Sequence, residues 1–135
     1  MAIQPSQCSV FIQVWVDSKT LQNNSNNGIY LVDNRLNNGS SNEGGASLKT
    51  AANTNDYVCW SIADVNVNSG TILSLQNFGN SNAFGTSGTP QQINPTTWTG
   101  QVQNNGTASY SINFSAQSSS GSAITCNTTA SFNVS

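Results

Sequence analysis

The stretch GTASYSINFSA, residues 106–116, alternates strictly: Ala108, Tyr110, Ile112, Phe114 and Ala116 fall on one side, and Ser109, Ser111, Asn113 and Ser115 on the other. A period of two places successive side chains on opposite faces of a strand, so this segment predicts a β-strand with one packed and one wet face. The final stretch, AITCNTTASFNV at 123–134, repeats the pattern, with Ile124, Cys126, Ala130, Phe132 and Val134 on one face.

Working outward, the same signal recurs. SVFIQVWVD at 9–17 sets Val10, Ile12, Val14 and Val16 against Phe11, Gln13 and Trp15, which predicts a strand covered on much of both faces. After the loop LQNNSNNG comes GIYLVDN at 28–34, and ASLKTA at 46–51 predicts a weak edge strand. AANTNDYVCWSIADV at 51–65 puts Val58, Trp60 and Ile62 on one face and Tyr57, Cys59 and Ser61 on the other; TILSLQNF follows the turn at Asn68, Ser69 and Gly70. From Gly79 to Pro95 the chain reads as a long loop anchored by Phe84 and Ile93, and TTWTGQVQ at 96–103 predicts a further strand. Neither an internal repeat nor a sharp change of composition divides the chain. The expectation is an all-β fold, a single-domain antiparallel β-sandwich of about seven to nine strands over residues 1–135.

Charge narrows the function. Charged residues make up 6% of the chain, against about 25% in ordinary globular proteins. They are Asp17, Lys19, Asp33, Arg35, Glu43, Lys49, Asp56 and Asp64, all before residue 65, and the chain has no histidine. Hydrolytic and phosphoryl-transfer mechanisms need acid, base or cationic groups, so the expectation is a protein that is not an enzyme. Three basic residues cannot neutralise a run of phosphates, which disfavours nucleic acid, and they give little attraction to an anionic membrane. No apolar run has the length of a transmembrane helix, and the N-terminus lacks the basic, apolar and cleavage segments of a signal peptide. The expected location is cytoplasmic, in inclusions or released without a cleaved signal peptide.

Cys59, in the segment YVCW, raises the question of chemistry. An Asn-Asp turn leading into an apolar strand with a Trp resembles the cupredoxin style of strand, but a blue-copper site needs two His, and this chain has none. Cys8, Cys59 and Cys126 lack the paired Cys-x-x-Cys spacing of a zinc site, and an odd count favours free thiols. A nucleophilic Cys59 would need a neighbouring base or cation, and the sequence offers only Lys49 in the preceding strand. Packing is therefore the expected role of Cys59 and Cys126. Asp33, Asn34, Glu43, Asp56 and Asp64 could supply oxygens to calcium but fit no contiguous calcium loop, so no cofactor is expected.

VDSKTL at 16–21, IYLVDN at 29–34 and ANTNDYVCW at 52–60, in that order, resemble the bacterial inclusion-body protein family typified by PixA and AidA, and TGQVQNNGTASYSINFSA at 99–116 is similar to the family's late alternating strand. The resemblance implies a β-sandwich that is abundant in intracellular inclusions, with no catalytic residues to carry over.

Two functions fit. A carbohydrate-binding, lectin-like protein would use an aromatic face and fork-like amides and carboxylates on vicinal hydroxyls; the candidates are Asp33, Asn34 and Arg35 at a strand end, Asn80 and Asn82 in the long loop, and Trp98. A self-assembling inclusion protein would need no small ligand. Either way, a nearly uncharged surface predicts a homo-oligomer, most simply a dimer pairing sheets.

Overall fold

A computed structural model describes residues 3–79, 81–119 and 121–135. Nine strands among them form two sheets: β1 (Val10–Val16), β2 (Ile29–Asp33), β3 (Lys49–Ala52), β4 (Tyr57–Asp64), β5 (Ile72–Phe78), β6 (Gln91–Asn94), β7 (Thr97–Gln101), β8 (Gly106–Gln117) and β9 (Ala123–Val134). One sheet runs β2-β1-β4-β7-β6 and the other β3-β9-β8-β5. The all-β sandwich is as expected, and so is the edge position of β3.

The sheets are mixed, which corrects the wholly antiparallel expectation. β1 pairs with β4 and β3 with β9 in parallel, while the other five pairings are antiparallel. The chain leaves β2, forms β3 in the opposite sheet and returns as β4 beside β1, a crossover that hydrophobic period cannot reveal.

The alternation of β8 and β9 does what it predicts. Tyr110, Ile112, Phe114 and Ala116 are buried, as are Cys126, Thr128, Ala130, Phe132 and Val134 across the hairpin. On β1 the four β-branched residues are fully buried, but Phe11 is 40% exposed, so this strand is covered on one face rather than on both. The core centres on Trp60 of β4. Its ring lies 4.6 Å from Phe78, 5.8 Å from Phe84, 5.9 Å from Tyr110 and 6.2 Å from Phe132. Its indole Nε1 donates to the Tyr110 hydroxyl at 3.1 Å. Two buried polar groups thereby satisfy one another across the sheets, while five aromatic rings fill the space between.

The segment 79–95 is more ordered than a loop. A 3₁₀ turn at Asn82–Phe84 buries Ala83 and Phe84, and Gln91–Asn94 forms the edge strand β6 on β7. No helix among the described residues is long and apolar enough to cross a membrane.

Candidate functional site

The end of β2 gathers most of the polar chemistry. Asp33 Oδ1 accepts from the Arg35 amide at 2.8 Å, and its Oδ2 accepts from Thr50 Oγ1 of the opposite sheet at 2.7 Å. The Asp33 amide donates to Glu43 Oε1 at 2.8 Å. Burial first, and the neighbouring Asp33 carboxylate next, push the Glu43 carboxyl above its ordinary value. Glu43 Oε2 is buried with no hydrogen-bond partner among the described residues. Arg35 Nε donates to Ala51 O at 3.1 Å, and its Nη2 lies 3.9 Å from Asp56 Oδ2. Asn34 clasps β1, its Oδ1 accepting from the Phe11 amide at 3.0 Å and its Nδ2 donating to Ser9 O at 3.1 Å. These groups tie β2 to β1 and β3.

Trp98 is not beside them. Register places Asp33, Ile12, Trp60 and Trp98 on one rung across β2, β1, β4 and β7, so three strand spacings, about 14 Å, separate Asp33 from Trp98. Side chains on one rung share a face, and here it is the inner one. The Trp98 ring packs on the core, 5.4 Å from Phe78, and its Nε1 is buried without a partner among the described residues. Asn82 is exposed on the 3₁₀ turn beside a separate hollow of about 350 Å³ with Ser81, Phe84 and Thr89. Asn80 lies outside the described residues. The candidates thus fall on three places, of which Asp33, Asn34 and Arg35 form one.

A feature missed in the sequence adjoins the Asp33 corner. Phe11, Gln13, Val32, Asp33 and Asn34 line a shallow cleft of about 200 Å³, in which Phe11, Gln13 and Val32 alternate with the inward Ile12 and Asp33 and so face outward. Phe11 is exposed there, and Tyr30, 45% exposed, stands opposite Trp15 on the same face. Trp15 Nε1 donates to Gln13 Oε1 at 3.0 Å, which leaves a polar and aromatic surface facing outward. The signal in the sequence was the interleaving of Phe11, Gln13 and Trp15 with four β-branched residues, which marks an outward aromatic row as readily as a second covered face.

The cysteines are free. Cys126 is in the core, its thiol donating to Gln22 O at 3.5 Å, and burial raises its pKa. Burial likewise raises Cys59, and Lys49 lies on β3 of the other sheet.

Residues 6–122 match the model of a domain of unknown function, DUF8788. Among solved structures, the inclusion body protein PixA from Burkholderia cenocepacia J2315 is similar, with a TM-score of 0.72 and 14% identity over 99% of this chain and 100% of that one. At that identity the likeness speaks to fold, and at that level it bears out the PixA-like resemblance. No curated protein matches the sequence.

Proposed function

The chain belongs to the DUF8788 family, a domain of unknown function, and from that premise we propose that it is a non-enzymatic protein whose task is to associate with copies of itself and pack densely, as in an inclusion. The observation that carries this reading is the surface. Three cations and five carboxylates serve 135 residues, and Asp33, Arg35 and Asp56 are engaged within the molecule. Little charge remains to hold copies apart, and amides, hydroxyls and outward rings such as Phe11 and Tyr30 present neutral contact area. The fold shared with a protein whose name is inclusion body protein supports the same reading. Sedimentation velocity over a range of concentrations, with microscopy of producing cells, tests it. Concentration-dependent oligomers and dense intracellular bodies are expected. A monomer at every concentration, dispersed in the cell, would sink the idea.

A second reading, sugar binding, draws on the exposed Phe11 ring beside Gln13 and Asn34, where a pyranose could stack while amides meet its hydroxyls. A glycan array run with calcium and again with chelator tests it, with Phe11→Ala as the control. Binding lost in that variant would support the reading, and a blank array with folded protein would leave assembly alone.

A further inference from the structure

Asparagine is followed by glycine three times, at Asn27–Gly28, Asn38–Gly39 and Asn105–Gly106. Such a pair carries a reaction of its own. The glycine amide nitrogen attacks the asparagine Cγ, the side-chain nitrogen leaves as ammonia, and water opens the resulting five-membered succinimide to aspartate or isoaspartate. Glycine favours it because no Cβ shields the nitrogen or restricts the backbone. The nitrogen must still be free to attack, and a hydrogen bond that commits the glycine N–H to an acceptor holds it back. All three asparagines are exposed, so the surroundings of the glycine nitrogen decide between them.

Two of the three are held. Gly39 closes the 3₁₀ turn at Leu36–Asn38, its N–H donating to Leu36 O at 3.2 Å. Gly106 opens β8 opposite Val134 of β9. Ser131 N donates to Leu48 O and Ser135 N to Ala52 O, both at 3.0 Å and both on the β3 side. Val134, of opposite parity, therefore turns its carbonyl to β8, where it takes the Gly106 N–H. The Asn105 side chain is engaged as well, its Oδ1 accepting from Thr54 Oγ1. Asn27–Gly28 differs. It ends the loop from β1 to β2, where Gly28 O accepts from Asp17 N at 2.8 Å while the Gly28 N–H has no acceptor among the described residues. The Asn27 nitrogen that would leave donates one long bond, to Gln22 Oε1 at 3.3 Å, between two exposed side chains.

We propose that Asn27 is a self-modification site, converting to aspartate and isoaspartate in the folded protein while Asn38 and Asn105 are protected. Water is the one co-reactant. The Gly28 nitrogen gives up its proton as its bond to Cγ forms, and the Cγ–Nδ2 bond breaks to release ammonia. Water then cleaves one of the two carbonyl–nitrogen bonds of the ring: cleavage at Cγ restores the normal main chain with an aspartate, and cleavage at the main-chain carbonyl leaves isoaspartate. Either way one neutral amide becomes one carboxylate, with no change of oxidation state. Because the attacking nitrogen must lose a proton, the rate rises with pH.

One more carboxylate is a large change for a chain with eight charged side chains and a net charge of -2. Copies that meet through neutral surface gain mutual repulsion as they age, so association should weaken with time. This consequence rests on association as the protein's task; the reaction at Asn27 does not.

The test incubates the full chain for days at neutral and mildly alkaline pH, in buffer and in parallel in concentrated urea, and follows each asparagine by peptide mapping and mass spectrometry. In buffer, conversion at Asn27 should outrun that at Asn38 and Asn105 several-fold and quicken with pH. In urea, where Gly39 and Gly106 lose their acceptors, the three rates should converge. Asn27→Gln changes an exposed side chain and should remove the native product with the melting temperature unaltered. Asn27→Asp should sediment as smaller species than the native chain and regain part of its association in added salt. Conversion of Asn38 or Asn105 as fast as Asn27 in buffer, or an Asn27 that stays intact while the urea sample reacts, would overturn the site. An Asn27→Asp variant that associates as the native chain does would overturn the consequence. A native chain that is monomeric throughout would remove the assembly reading and leave the three rates to decide the site.

Discussion

Asp64 collects donors from three residues. Its Oδ1 accepts from the Ser18 amide at 3.3 Å and the Asn66 amide at 2.9 Å, and its Oδ2 accepts from Ser69 Oγ at 2.6 Å. Burial alone would raise this carboxyl, but Ser69, Ser18 and Asn66 outweigh it and hold the pKa down to about 2, below the ordinary 3.8. The folded state therefore binds this proton less tightly than the unfolded chain, so the stability Asp64 provides is full above about pH 4 and is lost as pH falls toward 2. Asp64→Asn should destabilise the protein at pH 7 by about 1–2 kcal/mol in urea titrations and flatten the loss of stability on acidification; an unchanged acid profile would show that the carboxylate is not the tie. Glu43 has the opposite sign. Its pKa is raised by burial and by Asp33, so the folded state binds its proton more tightly and the ionised group opposes folding at neutral pH. Glu43→Gln keeps an acceptor for the Asp33 amide and offers a donor to the Asp33 carboxylate. It should stabilise by about 1 kcal/mol at pH 7, with the advantage fading on acidification as the native Glu43 gains its proton. A variant less stable than the native protein at pH 7 would refute that account.

Among the elements, the segment between β5 and β7 depends on Gly88. Gly88 N donates to Phe84 O at 2.9 Å, and Gln101 N of β7 donates to Gly88 O at 2.9 Å. A Cβ at this position would run into Gln101 O and Phe84 O, both backbone atoms with nowhere to go. Gly88→Ala should cost about 1–3 kcal/mol by this overpacking and speed hydrogen exchange at the Gln101 amide, whereas native exchange there would mean the segment adapts. β8 and β9 were legible because each has one buried face along twelve residues. β6 was not, because Gln91, Gln92 and Asn94 are exposed and Ile93 is only half-buried, so backbone pairing alone defines it. Asp33, Asn34 and Arg35 were legible as a strand end, since Asp and Asn favour such positions. Trp98 reads as an aromatic face for a sugar, but it shares an inward rung with Trp60, a register that no single strand encodes.

For the molecule as a whole, scarcity of charge makes a prediction that separates modes of association. If copies meet through neutral surface, raising ionic strength from about 0.05 to 0.5 M, which shortens the screening length from roughly 14 to 4 Å, should change the sedimentation profile little. Placing charge on the outer face of the five-stranded sheet should change it greatly. Phe11 and Tyr30 are 40% and 45% exposed on β1 and β2, so Phe11→Lys with Tyr30→Lys disturbs no buried side chain and should leave the melting temperature near the native value. If this face joins two copies in the manner of paired sheets, each copy brings both cations to the contact, and repulsion together with lost ring area should weaken association at least about tenfold, or about 1.4 kcal/mol. Because that repulsion is screened, added salt should restore part of the association in the variant while leaving the native protein unchanged. Native association that falls steeply with salt would instead point to the few ion pairs, and a variant that associates as the native chain does would move the contact to another face.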